Sequence, residues 1–309
     1  MSGIHHVTAI SGSAHRNLDF YVRALGLRFV KKTVNFDDPG TYHLYYGDEA
    51  GQPGTILTFF PWDHAGLGRG GVGLTDETRF RVPAGSIDFW ARRLADKGIA
   101  HDAVVERFGE PVLGFADPDG MRLALVGVAG AENEPGWARD DIPAEHAIRG
   151  FHGVTLAIET ADATGAVLTD VFGFSEAGRD GDLIRYRGSE AAGGIVDIRQ
   201  VKGGTRGAMG RGSVHHVAFR AADDAEQAEM ARKLGAHHRL QVTEQKDRQY
   251  FRSVYFREPG GVIFEIATDV PGFTVDEPLA TLGQDLKLPA FLEPRRKDLE
   301  KILAPLETA

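Results

Sequence analysis

The chain has 309 residues, 42% hydrophobic, 9% aromatic and 26% charged, a balance that fits two folded domains and excludes disordered, collagen-like and helical membrane classes. Its net charge of -9 disfavours nucleic acid as a partner, because binders of that kind concentrate Lys and Arg. With no cysteine, disulfides, thiolate zinc sites, iron–sulfur clusters and cysteine nucleophiles are all excluded, so any metal must be held by nitrogen and oxygen.

No apolar run reaches the roughly 20 residues of a spanning helix. The start, Met1-Ser2-Gly3-Ile4-His5-His6, lacks the basic-then-apolar order of a secretory signal. The expectation is a cytoplasmic protein with no membrane partner.

One unit, a strand, a helix and then three strands, recurs four times. In the first copy residues 4–10 read as a strand, and Leu18, Tyr21, Val22 and Leu25 line one side of a helix ended by Gly26. Strands follow at 28–35, 42–46 and 55–60, separated by the turns Asp37-Asp38-Pro39-Gly40 and Gly51-Gln52-Pro53-Gly54. The second copy opens at 78–82. Its helix is capped by Ser86, carries Ile87, Trp90 and Leu94 in register, stops at Gly98, and is followed by a closing strand at 121–126. Residues 129–147 are rich in Gly, Pro, Asp and Glu and read as a connector.

The third copy opens at 151–156, with a helix over 163–172 and a last strand at 194–201. The fourth has a strand at 214–219 and a helix over 223–234 entered through a capping box of Asp223 and Glu226. It ends with strands at 253–257 and 262–266. His237-His238 reads as a solvated pair in the loop beyond that helix, and a short helix over 293–302 closes the chain as a strap. A bent four-stranded sheet with one helix cannot bury both its faces, so the units are expected to pair. The fold class is therefore α+β, with four βαβββ modules paired into two curved half-barrel sheets. The expected division is 1–128 (modules 1 and 2), a linker at 129–147, 148–268 (modules 3 and 4) and a strap at 269–309, with modules 1 and 4 joining to form a site.

Histidine carries the chemical signal. Random placement of 12 histidines would give fewer than one adjacent pair, and there are three: His5-His6, His215-His216 and His237-His238. The first two precede matching strand text, His-His-Val-Thr-Ala and His-His-Val-Ala-Phe, so internal symmetry brings them to equivalent places. Strand alternation lets only one member of each pair enter a given cleft, which selects His6 and His216. The closing strand of the fourth copy holds Glu265 within Val262-Ile263-Phe264-Glu265-Ile266, where a lone carboxylate is costly unless paired or bound to a cation. Two imidazoles and one carboxylate with open positions form the facial triad of non-haem iron(II) enzymes. Iron(II) is the first expectation, manganese(II) the alternative and zinc(II) a weaker one.

At the equivalent place of the second copy stands Ala124, and in the first copy Thr58 or Phe59, so a fourth ligand position is empty. The cleft of modules 2 and 3 reads as metal-free, with His152 its single imidazole; His152 and His43 read as hydrogen-bonded structural residues. Arg69-Gly70-Gly71 and Gly203-Gly204-Thr205-Arg206-Gly207 lack the lysine and setting of a phosphate loop, and Arg295-Arg296-Lys297 reads as a solvated helix face.

Several segments carry a wider likeness: Leu27-Arg28-Phe29-Val30-Lys31-Lys32-Thr33, Tyr42-His43-Leu44-Tyr45-Tyr46-Gly47-Asp48-Glu49, Gly51-Gln52-Pro53-Gly54-Thr55, Glu145-His146-Ala147-Ile148-Arg149-Gly150-Phe151-His152 and Pro259-Gly260-Gly261-Val262-Ile263-Phe264-Glu265. Through these the chain resembles the vicinal oxygen chelate superfamily, and within it the hydroquinone-type ring-cleaving dioxygenases. The resemblance implies His6, His216 and Glu265 as iron ligands, in agreement with the symmetry argument. It further implies outer or substrate-facing roles for His5, Thr8, His215, Arg248 and Tyr255. The function so implied is an extradiol-type dioxygenase that opens a hydroquinone or catechol ring with O2. In this reading His215, Tyr255 or His5 moves protons, with His215 favoured because imidazole titrates near neutral pH, and Arg248 holds developing negative charge. The partners are a small aromatic substrate and O2, and self-association into a homo-oligomer is compatible with paired modules. The alternatives are a glyoxalase-type metal-dependent lyase or isomerase, and a non-catalytic binder of small aromatic compounds.

Overall fold

In the computed structural model, which describes residues 2–306, the repeat folds as strand, helix and further strands in all four copies. Module 1 comprises β1 (Ile4–Ser11), α1 (Ala14–Leu18), β2 (Arg28–Asn35), β3 (Asp38–Gly47) and β4 (Ile56–Pro61). Module 2 has β5 (Leu74–Pro83), α2 (Ile87–Asp96), β6 (Val105–Arg107), β7 (Glu110–Ala116) and β8 (Arg122–Val128). Module 3 has β9 (Phe151–Ile158), α3 (Asp162–Asp170), β10 (Ser175–Asp180), β11 (Leu183–Arg187) and β12 (Ile195–Gln200). Module 4 has β13 (Ser213–Ala221), α4 (Asp224–His238), β14 (Lys246–Asp247), β15 (Arg252–Arg257) and β16 (Ile263–Thr268), and α5 (Arg296–Ile302) follows in the strap.

These strands make two eight-stranded sheets that cut across chain order. One, β14-β15-β16-β13-β1-β4-β3-β2, joins module 4 to module 1; the other, β10-β11-β12-β9-β5-β8-β7-β6, joins module 3 to module 2. At each centre two opening strands run antiparallel, β1 with β13 and β5 with β9. Each opening strand also takes its own module's closing strand in parallel, as β1 does β4 and β13 does β16. Parallel neighbours need a long crossover, which the module's helix and remaining strands supply.

Bulges at the central strand pairs decide which side chains face the clefts. The β1–β13 register slips once at His5 and once at His215: Ile4 pairs with Phe219 and His6 with Ala218, then Thr8 pairs with His216 and Ala9 with Val214. An extra residue in one strand breaks the strict alternation of faces. Ile4 and Val7 therefore both enter the main core, as do Val214 and Val217, and the two histidines between each couple are left on the opposite face. Strict alternation would send one histidine of each pair away from the cleft; the bulges set both side by side. The second sheet repeats the device, with slips at Asp76 and His152.

Local departures from the sequence pattern have identifiable causes. After α1 the chain continues as a π-helical turn over Asp19–Ala24 before Gly26, whose φ of +72° ends the helix. Strand β3 begins at Asp38, so Asp38-Pro39-Gly40 is extended and the turn shrinks to residues 36–37. Ser86 occupies the cap position of α2 without capping it, because its hydroxyl goes to the Glu145 carbonyl and His146 in the connector. Asp223 does cap α4, accepting from the amides of Ala225 and Glu226, while Glu226 reaches back to the Ala222 amide. That helix runs on to His238, and His237 and His238 form its last turn with both rings on Asp170 of α3; the pair is a helix-to-helix tether and not a solvated loop.

The second sheet fills its cleft with charge. Gly153 and Glu77 stand where His6 and His216 stand in the first sheet, and Ala124, opposite Arg79, stands where Glu265 does. A side chain at Gly153 is sterically excluded, since a Cβ there would lie 2.0 Å from the Ile195 carbonyl oxygen. Arg79 and Arg185 occupy the space instead. Asp197 takes Arg79 at 2.9 Å and both Arg185 Nε and Nη2 at 2.9 Å. Arg185 also reaches Glu110 at 2.8 Å, and His152 shares that carboxylate at 3.1 Å. Burial pushes the His152 imidazole down to about 4, so it is neutral near pH 7 and donates to Glu110. His152 is thus part of a buried ionic network.

Asp197 is wholly buried between two buried guanidinium groups, and removing it strands both charges. Asp197→Ala is expected to lower the unfolding free energy by about 3–5 kcal/mol, read from denaturant titration; a loss under about 1 kcal/mol would show that the network does not hold this sheet.

Candidate metal centre

His6, His216 and Glu265 converge from three adjacent strands, β1, β13 and β16, and their ligand atoms all lie within 4.8 Å of one another. The strand register places them: His6 is opposite Ala218, and Ala218 is opposite Glu265. All three are buried, and Glu265 is at 0% exposure. Its Oε2 lies 3.3 Å from His6 Nε2 and 2.9 Å from His216 Nε2. Neither contact is a hydrogen bond, and Oε2 is left with no hydrogen-bond partner. The other oxygen, Oε1, is occupied by the Ser253 hydroxyl, which donates to it.

The neighbouring histidines fix the protonation of the pair. His5 Nδ1 lies 2.9 Å from His6 Nδ1, and His215 Nδ1 lies 2.8 Å from His216 Nδ1, so in each contact one nitrogen donates and the other accepts. Where His6 and His216 donate from Nδ1, each turns a bare Nε2 lone pair toward Glu265, the tautomer that a metal ligand takes. Burial, and then the neighbouring ligand histidine, hold His5 well below the ordinary imidazole value and push His215 down to about 3. Both are neutral near pH 7, so titration near neutrality is not available to His215 in this environment.

Two imidazole lone pairs and an unpartnered carboxylate oxygen therefore face one point. Such a donor set, two nitrogens and one oxygen with no thiolate, fits a divalent first-row ion, and the outer contacts from His5, His215 and Ser253 are those that orient ligands around one.

A cavity of about 240 Å³ opens beside the triad, lined on one side by His6, His215, His216 and Tyr255 and on the other by His43, Tyr45, Phe60 and Trp62. Phe60 and Trp62 stack at 5.5 Å, and His215 meets both edge-on. Phe251 lies tilted 4.8 Å from the His6 ring. At the mouth Arg248 spans the two modules: its Nη2 donates to Asp37 at 2.8 Å and its Nε to the Tyr255 hydroxyl at 3.3 Å. Burial raises the Tyr255 hydroxyl above the ordinary phenol range, with Glu265 adding to the effect. Of the five outer residues indicated by the sequence, His215, Tyr255 and Arg248 line the cavity. His5 lies behind His6, and Thr8 is buried below the cavity, accepting from the Thr58 hydroxyl at 2.9 Å.

The register settles the empty fourth position on Thr58, since Thr8 pairs with Thr58 as Ala218 pairs with Glu265. His43 sits on Thr58 at 2.8 Å, much as Ser253 sits on Glu265. Sequence reasoning left out Ser253, Tyr45, Phe60, Trp62, Phe251 and Asp37, and read His43 as a hydrogen-bonded structural residue; it bonds Thr58 and Tyr45 and also lines the cavity. Two of these were within reach: Tyr45 lies opposite Thr58 as Tyr255 lies opposite Glu265, so aligning the third strands of modules 1 and 4 pairs the tyrosines and puts His43 opposite Ser253.

Comparison with known proteins agrees with this architecture. The family model described as the Glyoxalase/Bleomycin resistance protein/Dioxygenase superfamily matches residues 3–125 and 150–266. The chain is 46% identical over 309 residues to the "Putative ring-cleaving dioxygenase MhqO" of Bacillus subtilis (strain 168), with 99% of this chain and 96% of that protein covered. It is 35% identical over 307 residues to the "Chlorohydroquinone/hydroquinone 1,2-dioxygenase" of Sphingobium indicum, covering 97% and 95%. A crystal structure described as a "putative dioxygenase from Bacillus subtilis subsp. subtilis str. 168" superposes with a TM-score of 0.93 at 45% identity, covering 99% of this chain and 97% of that one. Glyoxalase I from Zea mays shares the fold, with a TM-score of 0.68 at 12% identity over 92% and 98% of the two chains. The family match covers all four modules and both central strand pairs, and the chain belongs to the glyoxalase, bleomycin resistance protein and dioxygenase superfamily.

Proposed function

We propose that the protein is a ring-cleaving dioxygenase in which His6, His216 and Glu265 hold iron(II), and that it opens a hydroquinone- or catechol-type ring beside a hydroxyl-bearing carbon, the extradiol type. The observation that carries the reading is the convergence of two imidazole lone pairs and the unpartnered Glu265 Oε2 at the floor of an aromatic-walled cavity. The relatives named as ring-cleaving and hydroquinone dioxygenases support the same class. Manganese(II) suits the donor set nearly as well, and zinc(II) less so.

When bound, the ion supplies Lewis acidity that makes a ring hydroxyl acidic and an open face for dioxygen. The chain's own residues do the rest. Phe60, Trp62 and Phe251 give the ring flat apolar walls and exclude water from its faces. The cavity suits a single substituted ring more than a larger ligand. His215, accepting from His216 at Nδ1, turns its remaining N–H toward the cavity, where it donates to a substrate or dioxygen oxygen. Tyr255 and Arg248 present their hydroxyl and guanidinium on the adjacent wall, and stabilise negative charge that develops as the ring opens. Asp37 holds the Arg248 side chain in that pose. His5 keeps the His6 ring oriented and is shielded from the cavity. Thr58 at the fourth position counts against a four-ligand lyase or isomerase of the glyoxalase kind, because a hydroxyl committed to Thr8 offers no carboxylate base.

Two outcomes follow. Glu265→Gln keeps the size of the side chain and removes its charge; metal content and titration calorimetry should show affinity lower by more than about a hundredfold, beyond the range for loss of an outer partner. Unchanged metal binding would remove Glu265 from the ligand set. Second, protein loaded anaerobically with iron(II) should consume dioxygen only when a hydroquinone or catechol is added. Binding of such rings with no oxygen uptake under any metal would favour the non-catalytic binder, and turnover of a methylglyoxal–glutathione adduct would favour the lyase.

A further inference from the structure

The third strands of modules 1 and 4 place two tyrosines across the cavity from each other, and the surroundings of Tyr45 differ in kind from those of Tyr255. Tyr255 accepts from Arg248. Tyr45 is instead linked to His43, its hydroxyl lying 2.9 Å from His43 Nδ1. The proton positions follow along the buried chain behind it. The Thr58 hydroxyl donates to Thr8, so its 2.8 Å contact with His43 Nε2 must have His43 as the donor. A neutral imidazole that donates from Nε2 has a bare Nδ1, and Tyr45 must donate to it. Burial keeps His43 far below the ordinary imidazole value, consistent with the single ring proton that this chain of bonds requires.

The hydroxyl proton of Tyr45 is thus committed inward, away from the cavity, and its oxygen faces the cavity with lone pairs only. Among the described residues His43 is the one hydrogen-bond partner of that oxygen. Tyr45 itself is 2% exposed, and its ring is packed at 5.1 Å against Phe273 and 6.1 Å from Tyr250, so the oxygen cannot swing out to water. A buried acceptor fixed in a binding cavity discriminates for a ligand that brings a donor to it, because a ligand without one leaves the acceptor desolvated and unpaired.

We propose that Tyr45, oriented by the His43–Thr58–Thr8 chain, is a substrate-specificity residue that accepts a hydrogen bond from the second, still protonated, hydroxyl of the bound ring. This rests on the ring-binding function proposed above and adds to it: the preferred substrate is a dihydric phenol whose second O–H is intact, and a phenol with that hydroxyl replaced is discriminated against. His43 is a positioning residue, acting through Tyr45.

The test is equilibrium binding to anaerobic iron(II)-loaded protein, measured by calorimetry with two matched pairs, 1,4-dihydroxybenzene against 4-fluorophenol and catechol against 2-fluorophenol. Fluorine nearly preserves the size of the hydroxyl and removes its proton. Wild type should favour the dihydric member of at least one pair by about tenfold, and Tyr45→Phe, which keeps the packed ring, should bring that ratio close to one while still binding the fluorophenol. His43→Leu should reduce the ratio in the same direction, because the Tyr45 proton is then free to turn into the cavity. A wild-type ratio near one in both pairs, or a ratio that survives Tyr45→Phe, overturns the assignment and leaves the ring-binding function standing. A wild-type protein that binds none of the four rings overturns that function and this inference with it.

Discussion

Three electron-rich atoms aimed at one buried point are the constraint on which the first sheet is built. Two imidazole nitrogens and a carboxylate oxygen would separate in a dry interior unless something positive held them. The chain removes each alternative that would quench them. His5 and His215 occupy the outer nitrogens of the two ligand imidazoles, and Ser253 covers only the Glu265 oxygen that points away. What remains is an electron-rich pocket with the right hardness for a divalent ion. Arg248, the nearest guanidinium to line the cavity, is tied to Asp37 and Tyr255 at the mouth.

The second sheet meets the same constraint on an almost identical backbone and resolves it with protein charge. It keeps both bulges, yet the positions of the triad carry Gly153, Glu77 and Ala124. Arg185 stands opposite Asp197 as Tyr45 stands opposite Thr58, so a guanidinium enters where the first sheet has a phenol bordering open space. The comparison separates scaffold from chemistry. Sheet order, register and bulges build a cleft; whether that cleft is shaped to take an ion or closed by an internal salt bridge depends on a few side chains.

Much of this was legible before any coordinates. The repeat of four modules, their core faces and the triad follow from spacing and from the double histidines, because periodicity reports burial directly. The bulges were not legible. An inserted residue leaves no compositional mark, and strand alternation therefore selects one cleft-facing histidine per pair without foreseeing the Nδ1–Nδ1 contact that the bulge gives each pair. Ser86 was misread for a related reason: its cap position is local, but the hydroxyl is claimed by His146 from a distant segment. Ser253 carries no signal in the sequence until the register sets it on Glu265, and His43, read as a hydrogen-bonded structural residue, gains its place in the cavity wall only when the register sets it on Thr58.

The strap explains how the cavity wall is held rigid enough to discriminate. Lys31 on β2 is fully buried and bonds Asp276 at 2.7 Å and Glu277 at 2.8 Å, and Asp276 also accepts from Tyr250 at 2.9 Å and from Gln249. A buried ammonium with two carboxylates is strongly localised, since loss of either partner leaves charge unpaired. That node presses Phe273 against Tyr250 at 4.9 Å and against Tyr45 at 5.1 Å, while Leu288, Leu292, Leu299 and Leu303 close over Val34 on the same edge of the sheet. The segment of chain beyond the last module therefore buttresses the strand that carries His43 and Tyr45. Module 4 lends the cavity Arg248 and Phe251, which flank the Gln249 and Tyr250 held by the same node. A single ionic anchor thus braces both lips of the cavity, and the aromatic wall beside the triad is positioned by residues that do not line the cavity.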